Sequence, residues 1–101
     1  MISLRFIIVA SLSAEAGNKM MKEPNAIQTL ENYINSVNAE AAYFSEANGE
    51  RTFYIVVDLP SVDMIPAFGE PLFNLGARVE LHPAMDIADL KKDTQKLTPA
   101  S

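Results

Sequence analysis

The chain has 101 residues, of which 49% are apolar and 21% charged, with a net charge of -5 at pH 7 and no cysteine. This length allows one domain, predicted over residues 1–97 with a frayed tail at 98–101. The acidic balance without basic clusters argues against nucleic acid or membrane partners, no apolar stretch reaches the ~20 residues of a membrane span, and the missing cysteine excludes disulfides and thiol catalysis.

The opening stretch, MISLRFIIVASLSAEAG, fits two descriptions. A lone Arg5, an apolar run and the pattern Ala14-Glu15-Ala16 are typical of a secretory signal with its cleavage site. Alternation instead predicts a buried strand whose apolar side carries Ile2, Leu4, Phe6 and Ile8. We favour the strand, because serines interrupt the apolar run after Ala10. Residues 1–16 are therefore expected in the mature protein, and the protein is expected to be cytoplasmic.

A helix is predicted to begin near Pro24. One apolar stripe at helical spacing supports it, formed by Ile27, Leu30, Ile34 and Val37. The segment before it, residues 18–23, fits either a first helical turn or a loop over a cavity mouth. The role of residues 13–25 stays open.

A hairpin is predicted in the middle of the chain, because Asn48-Gly49 supplies the two positive-φ positions of a type I′ turn. A two-residue loop fixes the register, so Phe44 faces Phe53 and Tyr43 faces Tyr54. Directly opposed residues share a sheet face. The two phenylalanines are therefore predicted on one face and the two tyrosines on the other.

A second helix is predicted after the hairpin from the stripe Ile65, Phe68, Leu72 and Leu75. Asp63 is its predicted N-cap and Gly76 its stop. Pro71 is expected to kink or break this helix, because proline lacks the amide that the helix needs.

The last strand is predicted over residues 77–82, where Val79 and Leu81 point inward while Arg78, Glu80 and His82 take the other face. A short C-terminal helix follows. Its first turn carries Asp86 and Asp89, and the basic pair Lys91 and Lys92 comes later, which complements the helix dipole.

The predicted order is β-α-β-β-α-β, the ferredoxin-like pattern, an α+β fold with a four-stranded antiparallel sheet. Two helices cover one sheet face in this fold. The other face has a contiguous apolar centre formed by Ile7, Val9, Tyr43, Tyr54 and Val56. An exposed patch of roughly several hundred Å² implies a partner, and we predict a homodimer that packs sheet against sheet.

Residues 40–90 carry, in this order, the segments A-Y-F, D-L-P-S, I-P-A, E-P-L-F and V-E-L-H-P-A-M. In this combination the chain resembles an uncharacterised bacterial branch of the dimeric α/β-barrel superfamily, which includes muconolactone isomerase-like and small cofactor-free monooxygenase-like proteins. The resemblance implies the ferredoxin-like fold and a dimer that forms a barrel. That branch has no assigned catalytic residues, so the resemblance implies no role for any residue here.

The residues that suit chemistry lie on the second sheet face. The predicted ligand-binding set is Arg5, Tyr43, Tyr54, Glu80 and His82, which suits a small polar or aromatic ligand. His82 or Glu80 is the candidate base for proton abstraction next to a carbonyl, and Arg5 the candidate group that stabilises an enolate. The alternative is structural: an Arg5–Glu80 ion pair between neighbouring strands, with His82 at the rim.

No metal or other cofactor is predicted. Glu80 and His82 offer two ligands per chain and Asp58 a third carboxylate, whereas zinc usually needs three or four well-placed ligands. The four glycines are scattered, so no phosphate-binding loop is present. Two function classes stay open: a small-molecule-binding or interaction dimer, and a cofactor-free isomerase or monooxygenase-type enzyme acting on a small carbonyl or aromatic compound.

Overall fold

The computed structural model describes residues 4–97, with side chains up to residue 92. In chain order its elements are β1 (Leu4–Leu12), α1 (Ala14–Lys22), α2 (Ala26–Ser36), β2 (Ala41–Ala47), β3 (Glu50–Leu59), a 3₁₀ turn (Val62–Met64), α3 (Ile65–Phe73), β4 (Arg78–Pro83) and α4 (Ile87–Leu97). The predicted strands and helices are present, and α1 is additional. The predictions for residue 2 and for the tail at 98–101 lie outside the described residues.

The four strands form one antiparallel sheet in the order β2-β3-β1-β4. β3 pairs with both β2 and β1, and β1 pairs with both β3 and β4. β1 and β2 therefore run parallel to each other with β3 between them, and β3 and β4 run parallel with β1 between them. The α+β class and the four-stranded antiparallel sheet are confirmed.

The hairpin follows the predicted turn chemistry. Asn48 and Gly49 have φ values of 56° and 79°, and the Glu46 carboxylate accepts a 2.8 Å hydrogen bond from the Gly49 amide. The register is the predicted one, with Phe44 opposite Phe53. Their rings meet edge to face, with centroids 5.1 Å apart, an arrangement that adds to the burial energy of aromatic pairs.

The core lies between one sheet face and helices α1, α2 and α3. Its fully buried members include Ile8 and Leu12 of β1, Ile55 of β3 and Leu72 of α3. Complete burial of such side chains contributes roughly 1.5–3 kcal/mol each. Among the described residues, no helix is long and apolar enough to cross a membrane.

The segment left open by the sequence, residues 13–25, contains α1. The hydroxyl of Ser13 caps this helix by accepting a 3.1 Å hydrogen bond from the Ala16 amide. Gly17 is buried under the Arg51 side chain, and an added Cβ would clash with the Arg51 guanidinium. Met20 reaches the core. α1 is amphipathic but polar on average, because only a few of its residues face inward.

The predicted stripe of α2 is partly wrong. Leu30 and Val37 are buried as expected, whereas Ile27 is 65% exposed and Tyr33 is buried in its place. The helix is turned toward Tyr33 because the phenol can be buried with its polar end bonded: its hydroxyl donates a hydrogen bond to the carbonyl of Phe68 in α3.

The start of α3 also differs from the prediction. The helix begins at Ile65 after the 3₁₀ turn, and Asp63 lies inside that turn, where its carboxylate accepts a hydrogen bond from Ser61 instead of capping the helix. α3 continues through Pro71 and ends two residues later. The stop at Gly76 is confirmed by its φ of 84° and by its amide, which donates to the Phe73 carbonyl at 2.8 Å.

We predict that Tyr33→Phe lowers the free energy of unfolding by about 1 kcal/mol, because the variant loses the buried hydrogen bond from the Tyr33 hydroxyl to the Phe68 carbonyl. Tyr43→Phe is the matched control. Tyr43 is 65% exposed, so its loss of a hydroxyl should change stability by less than about 0.5 kcal/mol. Urea unfolding at pH 7 measures both. Equal stability of the two variants would contradict the assigned hydrogen bond.

Stability is also predicted to fall at alkaline pH through Tyr33. Burial raises the pKa of Tyr33 to about 12, whereas tyrosine in an unfolded chain titrates near ~10. The unfolded chain therefore loses its proton first, and stability declines between about pH 10 and 12 by up to ~1.4 kcal/mol per pH unit. Tyr33→Phe should remove this slope in urea titrations, and Tyr43→Phe should keep it.

Candidate functional site

Helices α1, α2 and α3 cover one face of the sheet. We call the other face, which these helices do not cover, the open face. Alternation along the paired strands places on it the residues predicted from the sequence: Arg5, Ile7, Val9, Ser11, Tyr43, Ser45, Thr52, Tyr54, Val56, Asp58, Arg78, Glu80 and His82. The predicted division of side chains between the two faces is therefore confirmed.

The open face is organised in rows that cross the strands. One row runs Glu80, Val9, Tyr54, Tyr43, and the next runs His82, Ile7, Val56, Ala41. Within these rows Ile7, Val9, Tyr54 and Val56 are half-buried, and Tyr43 is 65% exposed. The centre of the face is thus apolar and its β4 edge is polar.

Glu80 and His82 form a direct pair at that edge. The Glu80 Oε1 and His82 Nε2 atoms are 2.8 Å apart, and each side chain is 56% exposed. They lie two residues apart on one strand, so both project from the same face. A carboxylate bonded to an imidazole fixes the orientation of the ring.

Arg5 makes a different ion pair from the one that the sequence suggested. Its Nε atom donates to Glu40 Oε1 at 3.0 Å, and its Nη1 atom lies 3.6 Å from Asp86 Oδ2. The hydrogen bond to Glu40 is the main cause of the raised pKa of Arg5. The predicted Arg5–Glu80 pair is wrong because Glu80 lies opposite Val9, four residues or roughly 13 Å along β1 from Arg5.

The five predicted site residues thus occupy two regions of one face. Tyr43, Tyr54 and Glu80 share a row, and His82 is bonded to Glu80 from the neighbouring row. Arg5 lies beyond them, opposite Asp58 in the register. Their roles in binding or catalysis stay predictions. Among the described residues, no group of three or more histidine, aspartate or glutamate side chains is placed to hold a metal ion.

Sequence reasoning missed a polar row with a buried threonine at the hairpin end of the open face. Thr52 is fully buried; its hydroxyl donates to the Glu50 carbonyl at 3.1 Å and lies 3.5 Å from that of Ser11. Beside it Arg78 Nη2 donates to Glu50 Oε1 at 3.0 Å. The hairpin register predicted from the sequence already placed Thr52 directly across from Ser45. Two hydroxyl side chains in opposed positions were the signal that could have indicated a polar row here.

Two clefts on the helical side were also missed. One, of about 550 Å³, lies between α1 and the end of α3 and includes Glu15 and Gly76 in its lining. The other, of about 580 Å³, lies between α2 and the edge strand β2 and is lined by Ile27, Leu30, Glu31, Ile34, Asn35 and Phe44. It escaped prediction because Ile27 was assigned to the core.

The comparisons with known proteins bear on the fold. No family model and no curated protein matches this chain. A solved structure described as an unknown protein from Galdieria sulphuraria superposes with a TM-score of 0.54 at 11% identity, over 85% of this chain and 48% of that one. This chain thus spans about half the length of that structure. At this identity the likeness shows only a shared small α+β fold with a four-stranded antiparallel sheet, and the function is unknown.

The link between Arg5 and α4 gives a prediction. Asp86 Oδ1 accepts a 2.8 Å hydrogen bond from the Asp89 amide, and this bond is the main cause of the lowered pKa of Asp86. Because the pKa of Asp86 is lowered in the folded chain, its carboxylate is ionised at neutral pH and caps the helix. The cap weakens as the pH falls through the pKa of this carboxyl in the folded chain. Asp86→Ala should speed amide exchange over residues 87–91, and Asp86→Asn, an equally good cap, should not. Equal acceleration in both variants would assign the effect to the Arg5 contact instead.

Proposed function

We propose that the protein is a homodimer whose two open faces pack against each other and enclose a binding cavity for a small molecule. One observation carries the proposal: the centre of the open face is apolar, yet α1, α2 and α3 all lie on the other side of the sheet. A sheet buries its apolar face against another layer. A second copy supplies that layer with the fewest assumptions, since a two-fold interface uses the same surface twice.

The strand order supports a finer assignment of the fold. β1 and β2 are parallel with β3 between them, and β3 and β4 are parallel with β1 between them. These are two interleaved split βαβ units, connected by α2 and α3, which is the arrangement of ferredoxin-like domains. We assign the chain to this fold and, within it, to the dimeric α/β-barrel superfamily that the sequence resembles.

The proposed cavity lies over the row that contains Tyr43, Tyr54 and Glu80, with His82 at its side. Two phenol rings supply flat apolar surface with polar ends, and the Glu80–His82 pair supplies a carboxylate and an imidazole. Such a site suits a small aromatic or carbonyl compound with at least one hydrogen-bonding group. Arg5 is held by Glu40 and Asp86, so its contribution in the dimer is to the rim of the cavity.

A cofactor-free isomerase or monooxygenase-type enzyme is the second candidate. The observation in its favour is the 2.8 Å contact between Glu80 and His82, because a carboxylate that orients an imidazole is a common general-base arrangement. In such an enzyme His82 would take a proton next to the carbonyl of the substrate. The binding function is preferred, since both side chains are 56% exposed and the cations of the adjacent rows, Arg5 and Arg78, are already held by Glu40 and Glu50.

The dimer is tested with two valine-to-glutamate variants. Val56→Glu places a carboxylate at the apolar centre of the open face and should give a monomer or an insoluble chain, because a buried unpaired charge is costly. Val62→Glu is the matched control: Val62 is 74% exposed in the 3₁₀ turn and should stay dimeric. Size-exclusion chromatography with light scattering measures the mass, and a dimer for both variants would exclude this interface. Ile7→Glu repeats the test on β1.

The binding site is tested by a thermal-shift screen of small aromatic and carbonyl compounds, since a ligand of the folded state raises the melting temperature. Compounds that stabilise the wild type should lose most of their shift with Glu80→Gln. Glu15→Gln is the control, because Glu15 lines the α1–α3 cleft and should leave the shift unchanged. The reverse pattern would place binding in that cleft. Turnover of a bound compound that is lost in His82→Gln would favour the enzyme.

A further inference from the structure

The C-terminal helix α4 projects from the rest of the molecule. Its first residue, Ile87, is 67% exposed, and Met85 just before it is 60% exposed. The described side chains of α4 are exposed, apart from that of Asp89, which is half-buried. The radius of gyration is 16.3 Å and the long axis measures 60 Å, whereas a globular chain of this length has a radius near ~13 Å. An apolar helix start is thus left exposed to solvent.

An apolar groove of complementary character lies on the helical side, between α2 and the edge strand β2. Its exposed walls are Ile27, at 65%, and Phe44, at 53%, with Leu30 and Ile34 in the lining. The groove continues past Met21, which is 47% exposed, toward Arg51. Several neighbouring apolar side chains that are half exposed form the kind of surface that binds an amphipathic helix.

The α4 helix of the same chain begins on the other side of the sheet from this groove. β4 and β2 are the two edges of the sheet, three strand spacings or roughly 14 Å apart, and the helical layer lies between. The connecting residues 84–86 are held against β1: the Ala84 amide donates to the Arg5 carbonyl at 3.0 Å, and Asp86 contacts the Arg5 side chain. The helix therefore starts at the far edge, and none of its described residues lines the groove of its own chain.

We propose that α4 of one copy docks in this groove of a second copy, and this rests on the proposed homodimer. Met85 and Ile87 supply the apolar contacts, and the charges set the direction. The groove carries Arg51 toward one end and Glu31 toward the other. In α4 the acidic first turn precedes two lysines, so its start faces Arg51 while Lys91 and Lys92 face Glu31.

This arrangement also follows from two-fold symmetry. Each copy owns one projecting helix and one groove, so two identical contacts form and neither site is left exposed. Each α4 helix then packs against the other copy and adds a second contact to the sheet interface. The contact made by α4 depends on the sheet dimer, whereas the sheet dimer can form without it.

The absence of cysteine permits a direct test by cross-linking between different chains. Ile87→Cys is refolded together with Ile27→Cys, and the mixture is treated with a short bis-maleimide. The expected product is a covalent heterodimer. Ile87→Cys mixed with Val62→Cys is the control, since Val62 is as exposed as Ile27 but lies in the 3₁₀ turn, and it should give only background.

A cross-linked yield no higher than the control, in a protein that light scattering shows to be dimeric, would overturn the docking of α4 and leave the sheet dimer standing. A double variant, Ile27→Cys with Ile87→Cys, that cross-links only within one chain would overturn it as well. A monomeric wild type would remove both proposals. The direction is tested by charge: Glu31→Lys should lower the cross-linked yield, and Lys91→Glu with Lys92→Glu in the other chain should restore it; no restoration would overturn the assigned direction.

Discussion

β1 lies between β3 and β4, and its backbone pairing with both of them sets the register of the whole sheet. Side chains alternate between the two faces of a strand, so a shift of one residue would exchange the faces. The buried set of β1, with Ile8, Ala10 and Leu12 fully covered, makes such a shift costly because every one of these side chains would enter the open face. The core, the open face and the pairing of their side chains all depend on this register.

With the register set, the polar groups of the open face take separate places. Glu80 and His82 bond each other because they are two residues apart on one strand. Arg5 lies near the start of β1. It joins three parts of the chain, since Glu40 precedes β2 and Asp86 precedes α4. The proposed cavity therefore rests on the tyrosine row and the Glu80–His82 pair, and the Arg5 cluster serves as a connector between sheet and C-terminal helix.

The helical layer produces the second surface. Tyr33 is buried because its hydroxyl finds the Phe68 carbonyl, and this turns α2 so that Ile27 leaves the core. Phe44 lies on the edge strand and remains 53% exposed even though it packs on Phe53. The orientation of α2 that buries Tyr33 in the core thus also exposes Ile27, which lines the groove in which we place the partner's α4.

The sequence by itself determined the features that depend on neighbours along the chain. Asn48-Gly49 adopts positive φ values because of its own turn chemistry, Gly76 ends α3 for the same reason, and Asp86 caps α4 three residues before its partner Asp89. Strand alternation needs no more than period two, so the two faces and the order of the strands could be predicted. These features could be predicted because the interactions that stabilise each of them form between residues only a few positions apart in the chain.

Only the tertiary structure decided which of several acceptable contacts each side chain makes. The stripe of α2 allowed either Ile27 or Tyr33 to face inward, and a carbonyl 35 residues away made the choice. Arg5 had several carboxylates available and took Glu40, also 35 residues away, because the pairing of β2 beside β3 brought that residue within reach. Helix rotation and ion pairing are settled by packing across the fold, and no periodicity along the chain encodes them.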